Sequence, residues 1–292
     1  MESWEKQGQP LEIRGRRLFV IDFPAERETG PPVFILHGFP TSSIDWREVV
    51  PFLRHERRVV AFDLLGFGLS AKPDQPYSLF EQADLAAGVL ERLGLARIAL
   101  ATHDVGDSIG GELLARSLEG ALGVEIVERV IANGSIYMDL VQLSRGQRAL
   151  LALPDARIDG PSAPSREGLA ASLLELMGEA RRADAAARVG AMVDGMLRDE
   201  GFRLLPRIIR YIEERKQHEG RWTGAIERHP SPLAIVWGAD DPIARVAMAH
   251  RLAAARPDAS LCILDGVGHF PMVEDPIRFG AALRRALRFA AP

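Results

Sequence analysis

Cysteine is nearly absent from this sequence: Cys262 is the only one among 292 residues. That excludes an internal disulfide and a cysteine-rich zinc site, and its place in the apolar run 261–264 points to a buried, inert thiol. Long hydrophobic runs are missing too, and none approaches the ~18–20 apolar residues that span a bilayer. The first residues, Met-Glu-Ser-Trp-Glu-Lys-Gln, carry no apolar core of the signal-peptide kind, so a soluble cytoplasmic protein without membrane contacts is expected. Charge of one sign is scarce as well, with a net value of -4 from 36 Lys+Arg and 40 Asp+Glu. The arginines are interleaved with acids as on solvated helix faces, which gives no electrostatic basis for binding nucleic acid. No glycine-rich turn makes G-x-G-x-x-G after the first strand, and no cluster of histidines and acids calls for a metal, so neither a nucleotide cofactor nor a metal is expected.

The hydrophobic share, 47%, is ample for a core, and one α/β domain with an inserted subdomain fits the length better than two domains. Short β-branched runs at 18–23, 33–36, 59–62, 98–101, 130–132, 233–236 and 261–264 predict strands. Several are apolar throughout, as in a mostly parallel sheet covered on both faces. Helical patterns at 78–93, 108–118, 244–255 and 277–289 alternate with them. The alternation stops after Ile131-Ala-Asn-Gly-Ser135. From 137 to 228 only helical patterns rich in Ala, Leu, Arg and Glu follow, broken by a Pro/Gly/Ser loop at 154–164. The expected organisation is a core of 1–136 and 229–292 with a helical cap of 137–228 inserted between two strands.

Segment 97–111, Arg-Ile-Ala-Leu-Ala-Thr-His-Asp-Val-Gly-Asp-Ser-Ile-Gly-Gly, holds two candidate nucleophiles four residues apart. Gly106-Asp-Ser108-Ile-Gly110 is a literal G-x-S-x-G, the signature of a serine nucleophile elbow. Asp104 fits the geometry of an elbow better. The apolar strand ends at Ala101, Thr102 and Gly106 flank Asp104 with small side chains, and a helix can begin at once. For Ser108 to serve, three polar residues would have to extend a buried central strand, which is costly without partners. Gly110 and Gly111 would then let the helix pack closely on the sheet. An aspartate, ionised at neutral pH, can displace a leaving group from saturated carbon and form an alkyl ester, whose hydrolysis needs a base and an oxyanion hole. The plainer alternative makes Asp104 only an N-cap.

His269 stands on a glycine-flanked loop after the last strand and suits the general base. Asp241, in Gly238-Ala-Asp-Asp-Pro242, is expected to hold its N–H, with Asp240 as the fallback. The loop His37-Gly-Phe39-Pro after an early strand and the start of the helix at Val105 place the backbone N–H groups of Phe39 and Val105 as oxyanion donors. Asp63 and His103 are read as structural, and His229 and His250 as surface residues.

His37-Gly-Phe-Pro, Asp63-x-x-Gly-x-Gly-x-Ser70, His103-Asp-x-Gly, Gly238-x-x-Asp-Pro242 and Gly268-His-Phe-Pro together resemble the α/β-hydrolase superfamily over the whole chain. The order nucleophile, acid, histidine matches it. The chain is most similar to the epoxide hydrolase and haloalkane dehalogenase branch. Segments 130–135 and 210–225 also resemble the mesoderm-specific transcript proteins. The resemblance implies an α/β-hydrolase fold with an inserted lid and an aspartate nucleophile. Haloalkane dehalogenases carry a halide-binding tryptophan after the nucleophile, where this chain has Val105; fluoroacetate dehalogenases place arginines where Val105 and Ser108 stand.

Epoxide opening implies lid tyrosines as donors. Of only three tyrosines, Tyr211 is the first candidate and Tyr137 the second, while Tyr77 looks structural. His37 and Trp222 are expected to face the substrate. The leading expectation is therefore an epoxide hydrolase for small to medium apolar molecules. The alternatives are a carbon–halogen hydrolase with Trp222 or Trp46 at the halide, a serine esterase using Ser108, and a binding protein with an idle triad.

Overall fold

The computed structural model describes residues 1–159 and 164–287. The expected loop at 154–164 and the tail of the expected helix 277–289 therefore fall partly outside the described residues. Eight strands form one sheet: β1 (Gly8–Ile13), β2 (Arg16–Phe23), β3 (Val33–Leu36), β4 (Val59–Phe62), β5 (Arg97–His103), β6 (Glu125–Ala132), β7 (Leu233–Gly238) and β8 (Ser260–Leu264). They lie in the order β1-β2-β4-β3-β5-β6-β7-β8. Strands β3 to β8 run parallel, and β1 and β2 are antiparallel additions at one edge. Every residue of β3, β4 and β7 is buried, as their unbroken apolar runs require.

Two departures from the expected strands have simple causes. The first strand carries Pro10 and little apolar alternation, features compatible only with an edge, so no run announces it. The last strand is also an edge, which leaves Leu261 exposed and Cys262 half-buried rather than buried.

Helices of seven or more residues are numbered α1 (Leu79–Arg92), α2 (Val105–Leu118), α3 (Arg145–Leu151), α4 (Arg166–Leu174), α5 (Arg182–Leu197), α6 (Tyr211–Arg228), α7 (Val246–Ala255) and α8 (Pro276–Ala286). Helix α2 begins at Val105, as expected from the elbow, three residues before the helical pattern at 108–118. Between β6 and β7 the described chain makes no strand; it holds α3 to α6, 3-10 turns at Glu179–Arg181 and Arg198–Leu204, and a four-residue helix at Leu205–Ile208, joined by loops. The insertion is tied to the core by ionic contacts. Arg221 reaches Glu112 at 2.6 Å and Glu119 at 2.6 Å, and the Glu214 carboxylate accepts from Ser78 and the Leu79 amide at the start of α1.

The chain leaves β3 to one side to make β4 and returns to its other side for β5. The carboxyl ends of β3 and β5 therefore flank a switch point, where open α/β sheets place their ligands.

Gly110 faces Thr102 on the sheet, but Gly111 faces the insertion: a Cβ there would stand 2.9 Å from the Trp222 Cβ and 3.2 Å from its backbone. This glycine lets α6 lie against α2, a role different from the sheet packing expected for it. Gly220, also helical, has nothing within 4 Å of such a Cβ. Gly220→Ala should therefore stabilise the fold by about 1 kcal/mol through helix propensity. Gly111→Ala should destabilise it by about 1–3 kcal/mol through overpacking. Urea titrations of the two variants check this, and equal shifts would contradict the close approach.

Candidate active site

Strand β5 continues two residues past its apolar part, through Thr102 and His103, because both find partners. The Thr102 hydroxyl donates to Asp107, and His103 Nε2 donates to the main-chain oxygen of His269 at 2.8 Å. Burial lowers the His103 pKa to about 4, so this imidazole is neutral. The strand breaks at Asp104, which turns with φ 51° and ψ -111° into α2. A non-glycine residue at positive φ is strained, and such turns project a side chain sharply from a strand end. Gly106 is required beside it, since a Cβ there would meet the Leu36 oxygen at 2.4 Å.

The Asp104 carboxylate is buried. Its Oδ2 accepts the Phe39 backbone N–H at 2.9 Å, and its Oδ1 has no hydrogen-bond partner. Val105 is the first residue of α2, where a backbone N–H has no intrahelical acceptor. Both expected backbone donors thus stand at the elbow.

His269 Nδ1 donates to Asp241 Oδ2 at 2.8 Å. Asp241 is held in turn by the amides of Ile243 and Ala244 at 2.8 and 2.9 Å and by Asn133 Nδ2 at 2.8 Å. Asp240 is exposed and its side chain takes no part. Sequence reasoning missed two supports of this pair. Asn133, a polar residue ending an apolar strand, also accepts the Gly238 amide through Oδ1 at 3.0 Å. The Glu274 carboxylate gathers the amides of Gly268, Phe270 and Gly178 at 2.6–2.8 Å, joining the histidine loop to the insertion.

Tyr211, the first residue of α6, is brought to the elbow. Its ring lies 5.4 Å from Phe39, and its hydroxyl is buried without a hydrogen bond of ordinary geometry, facing Gln147. Burial and the nearby Asp104 charge both raise its pKa.

Several expected residues are placed elsewhere. Tyr137 donates its hydroxyl to Glu227 at 2.7 Å beneath the Arg251 guanidinium, and so is no partner of Asp104. Trp222 is locked against α2, its indole N–H donating to Glu112 at 2.9 Å. His37 donates from Nδ1 to the Gly38 oxygen and accepts the Leu64 amide at Nε2, a structural, neutral ring with no face to a substrate. Trp46 packs on Phe279 in the core. His229 is buried between Ser231 and Ser117, whereas His250 is exposed as expected. Asp63 accepts from Ser43 and the Leu69 amide, as a structural residue should. Ser108 lies one turn into α2, and its Oγ accepts from Arg215 Nε at 2.7 Å.

A cavity of about 350 Å³ opens beside the site. Phe39 and His269 line it from the core, and Leu150, Leu153, Leu169, Leu173 and Leu176 are among the apolar residues that line it from the insertion. Asp104 and Tyr211 do not line it; Phe39, which touches both, does. Among the described residues no group of three or more His, Cys or acidic side chains could hold a metal ion, and no helix is long and apolar enough to cross a membrane.

Burial works against a charge on His269, but Asp241 and Asp104 outweigh it and hold the imidazolium up to about 9. The folded value lies above the ordinary 6.5, so this group's stabilising contribution is full below about 6.5 and is lost as pH rises through about 9. The stability gap between wild type and His269→Gln should accordingly shrink across that window. Denaturant midpoints measured along it test this, and a gap that stays constant would contradict the assignment.

Comparison with known proteins agrees with the fold. The sequence pattern of the alpha/beta hydrolase family matches residues 33–282. A putative hydrolase of Mycobacterium tuberculosis, LipZ, is 34% identical over 286 residues, covering 97% of this chain and 96% of its own. The mesoderm-specific transcript homolog protein of Homo sapiens is 31% identical over 292 residues, with 96% and 85% covered. The resemblance to that group is thus borne out. A thermophilic esterase from Thermogutta terrifontis superposes with a TM-score of 0.77 at 20% identity, covering 97% of this chain and 98% of its own, a likeness of fold.

Proposed function

The chain belongs to the alpha/beta hydrolase family, and from that premise we propose that it is an epoxide hydrolase working through an alkyl ester on Asp104. Its substrates are small to medium apolar epoxides, and the helical insertion serves as the lid over them. The observation that carries this reading is the Phe39 amide donating to Asp104 Oδ2. With a serine nucleophile such an amide would wait for the substrate's carbonyl oxygen. Here the donor already holds the carboxylate's own oxygen, so the carbonyl it polarises is that of an Asp104 ester. Oδ1, without a hydrogen bond, keeps its lone pairs for attack.

In the first step Oδ1 bonds to a ring carbon, the carbon–oxygen bond of the epoxide breaks, and its electron pair stays on the ring oxygen. That oxygen takes the Tyr211 proton. In the second step His269 takes a proton from water, and the hydroxide adds to the ester carbonyl while the Phe39 and Val105 amides hold the oxyanion. Before His269 can do so, the proton that it carries at rest passes to the Tyr211 phenolate. Collapse of the adduct then expels the alkoxide, which takes the proton of the added hydroxyl, releasing the diol and restoring ionised Asp104 and protonated His269. The charge of Asp104 helps to keep His269 protonated at rest. Esterification removes that charge, which favours the base form when the ester is ready for water.

For a substrate carbon to reach Oδ1 the Phe39 ring has to yield, a side-chain adjustment common on binding. The carbon–halogen reading finds no indole donor at the cavity: the N–H groups of Trp4, Trp222 and Trp237 are bonded to Ser43, Glu112 and the Ala244 oxygen, and the unbonded N–H of Trp46 is buried beside Phe279 on a ring that does not line the cavity. Ser108 lies on a helix flank, bonded to a cation, which disfavours the serine reading.

His269→Gln incubated with apolar epoxides should accumulate an ester on the peptide containing Asp104, seen as the added mass of the epoxide. An acyl group on Ser108, or bound ligand with no adduct, would overturn the proposal. Tyr211→Phe should slow turnover by about 10²-fold or more, and an undiminished rate would remove Tyr211 from the mechanism.

A further inference from the structure

Arg215 lies buried on α6, marked by no motif. Its Nε donates to Ser108 Oγ at 2.7 Å, and its Nη2 donates to the Asp104 main-chain oxygen at 3.2 Å. The same nitrogen stands 3.9 Å from Asp104 Oδ1, and the guanidinium carbon stands 4.9 Å from the centroid of the Tyr211 ring. A buried guanidinium needs a compensating negative charge, because burial without one is strongly unfavourable. Among the described residues Asp104 is the only carboxylate that makes an ion pair with it.

Opening an epoxide at Asp104 would remove that charge. Once Oδ1 is bonded to carbon, the side chain is a neutral ester. The electron pair of the broken bond sits on the ring oxygen, and after proton transfer the charge rests on the Tyr211 phenolate. The guanidinium therefore has the charge donor on one side and the charge acceptor on the other. We infer that Arg215 is the standing counter-charge of the ring-opening step, paired with Asp104 before attack and with the Tyr211 phenolate after it. It acts through those two residues and is a positioning residue. The inference rests on the Asp104 epoxide reading above.

Two features favour a charge role over a merely structural clasp. The groups that Arg215 hydrogen-bonds, a hydroxyl and a peptide oxygen, are neutral and would be satisfied by a neutral donor. The cavity wall carries no lysine or arginine among the described residues. Among the described residues Arg215 is the one guanidinium in contact with both reacting side chains, and the only cation in the wall is the His269 imidazolium, already paired with Asp241. The substrates this arrangement suits are neutral.

The test compares rates of ester formation on Asp104 in the His269→Gln background, with an epoxide that labels the parent. Arg215→Gln keeps a hydrogen-bond donor and deletes the charge; Arg215→Lys keeps the charge; Ser108→Ala deletes only the bond to the hydroxyl. Ester formation should slow by about 10²-fold in Arg215→Gln, recover substantially in Arg215→Lys, and change little in Ser108→Ala. A glutamine variant as fast as the lysine variant would overturn the inference, as would a loss in Ser108→Ala equal to that in Arg215→Gln. Thermal unfolding of each variant separates lost structure from lost rate, and if Arg215→Gln does not fold, the lysine and Ser108→Ala rates still decide. Absence of any ester in the parent would instead overturn the reading on which the inference rests.

Discussion

The hydrogen bond from the Phe39 amide to Asp104 Oδ2 is the contact on which the account depends. It exists because two parallel strands end side by side at the switch point of the sheet. One delivers the His-Gly-Phe-Pro loop, and the other breaks into a helix at a residue held at positive φ. The same bond separates the two oxygens of one carboxylate into different environments. One is fixed by a preorganised donor, and the other is left without a partner. An N-cap would turn its carboxylate back onto the helix's own first-turn amides, and Asp104 makes no such bond.

Around that bond the charges form two layers. Asp104 faces Arg215, and Asp241 faces His269. Two further buried acids lie close by, Asp45 and Asp107. Burial pushes Asp45 up to about 8 and Asp107 well above its ordinary value, which favours their protonated, neutral forms. The site can thus contain several carboxyl groups in a small volume. On the proposed pathway the negative charge moves only a short way, and the fixed cations do not have to reorganise.

Much of this was legible in the sequence, and the rest was hidden for physical reasons. Apolar runs located seven strands; those buried on both faces, such as β3, β4 and β7, leave a continuous signal, whereas edge strand β1 leaves none. Asp104, His269, Asp241 and the Phe39 loop could be placed because each sits at a strand end marked by glycine or proline. Side chains whose place depends on distant partners could not. Trp222 and Tyr137 read as candidates until Glu112 and Glu227, about a hundred residues away in sequence, took their polar atoms. His229 read as surface because its burial comes from Ser117, also remote. Arg215, Asn133 and Glu274 carry no local signature at all, since a buried polar residue looks like an exposed one until its partners are known.

The central claim is that the oxygen first delivered to the substrate comes from Asp104 and not from water. A single turnover of the wild-type enzyme in oxygen-18 water, with enzyme in excess over an epoxide, tests it most directly. The account predicts label in the peptide containing Asp104 and an unlabelled diol. Label in the diol, with an unlabelled Asp104 peptide, would contradict it.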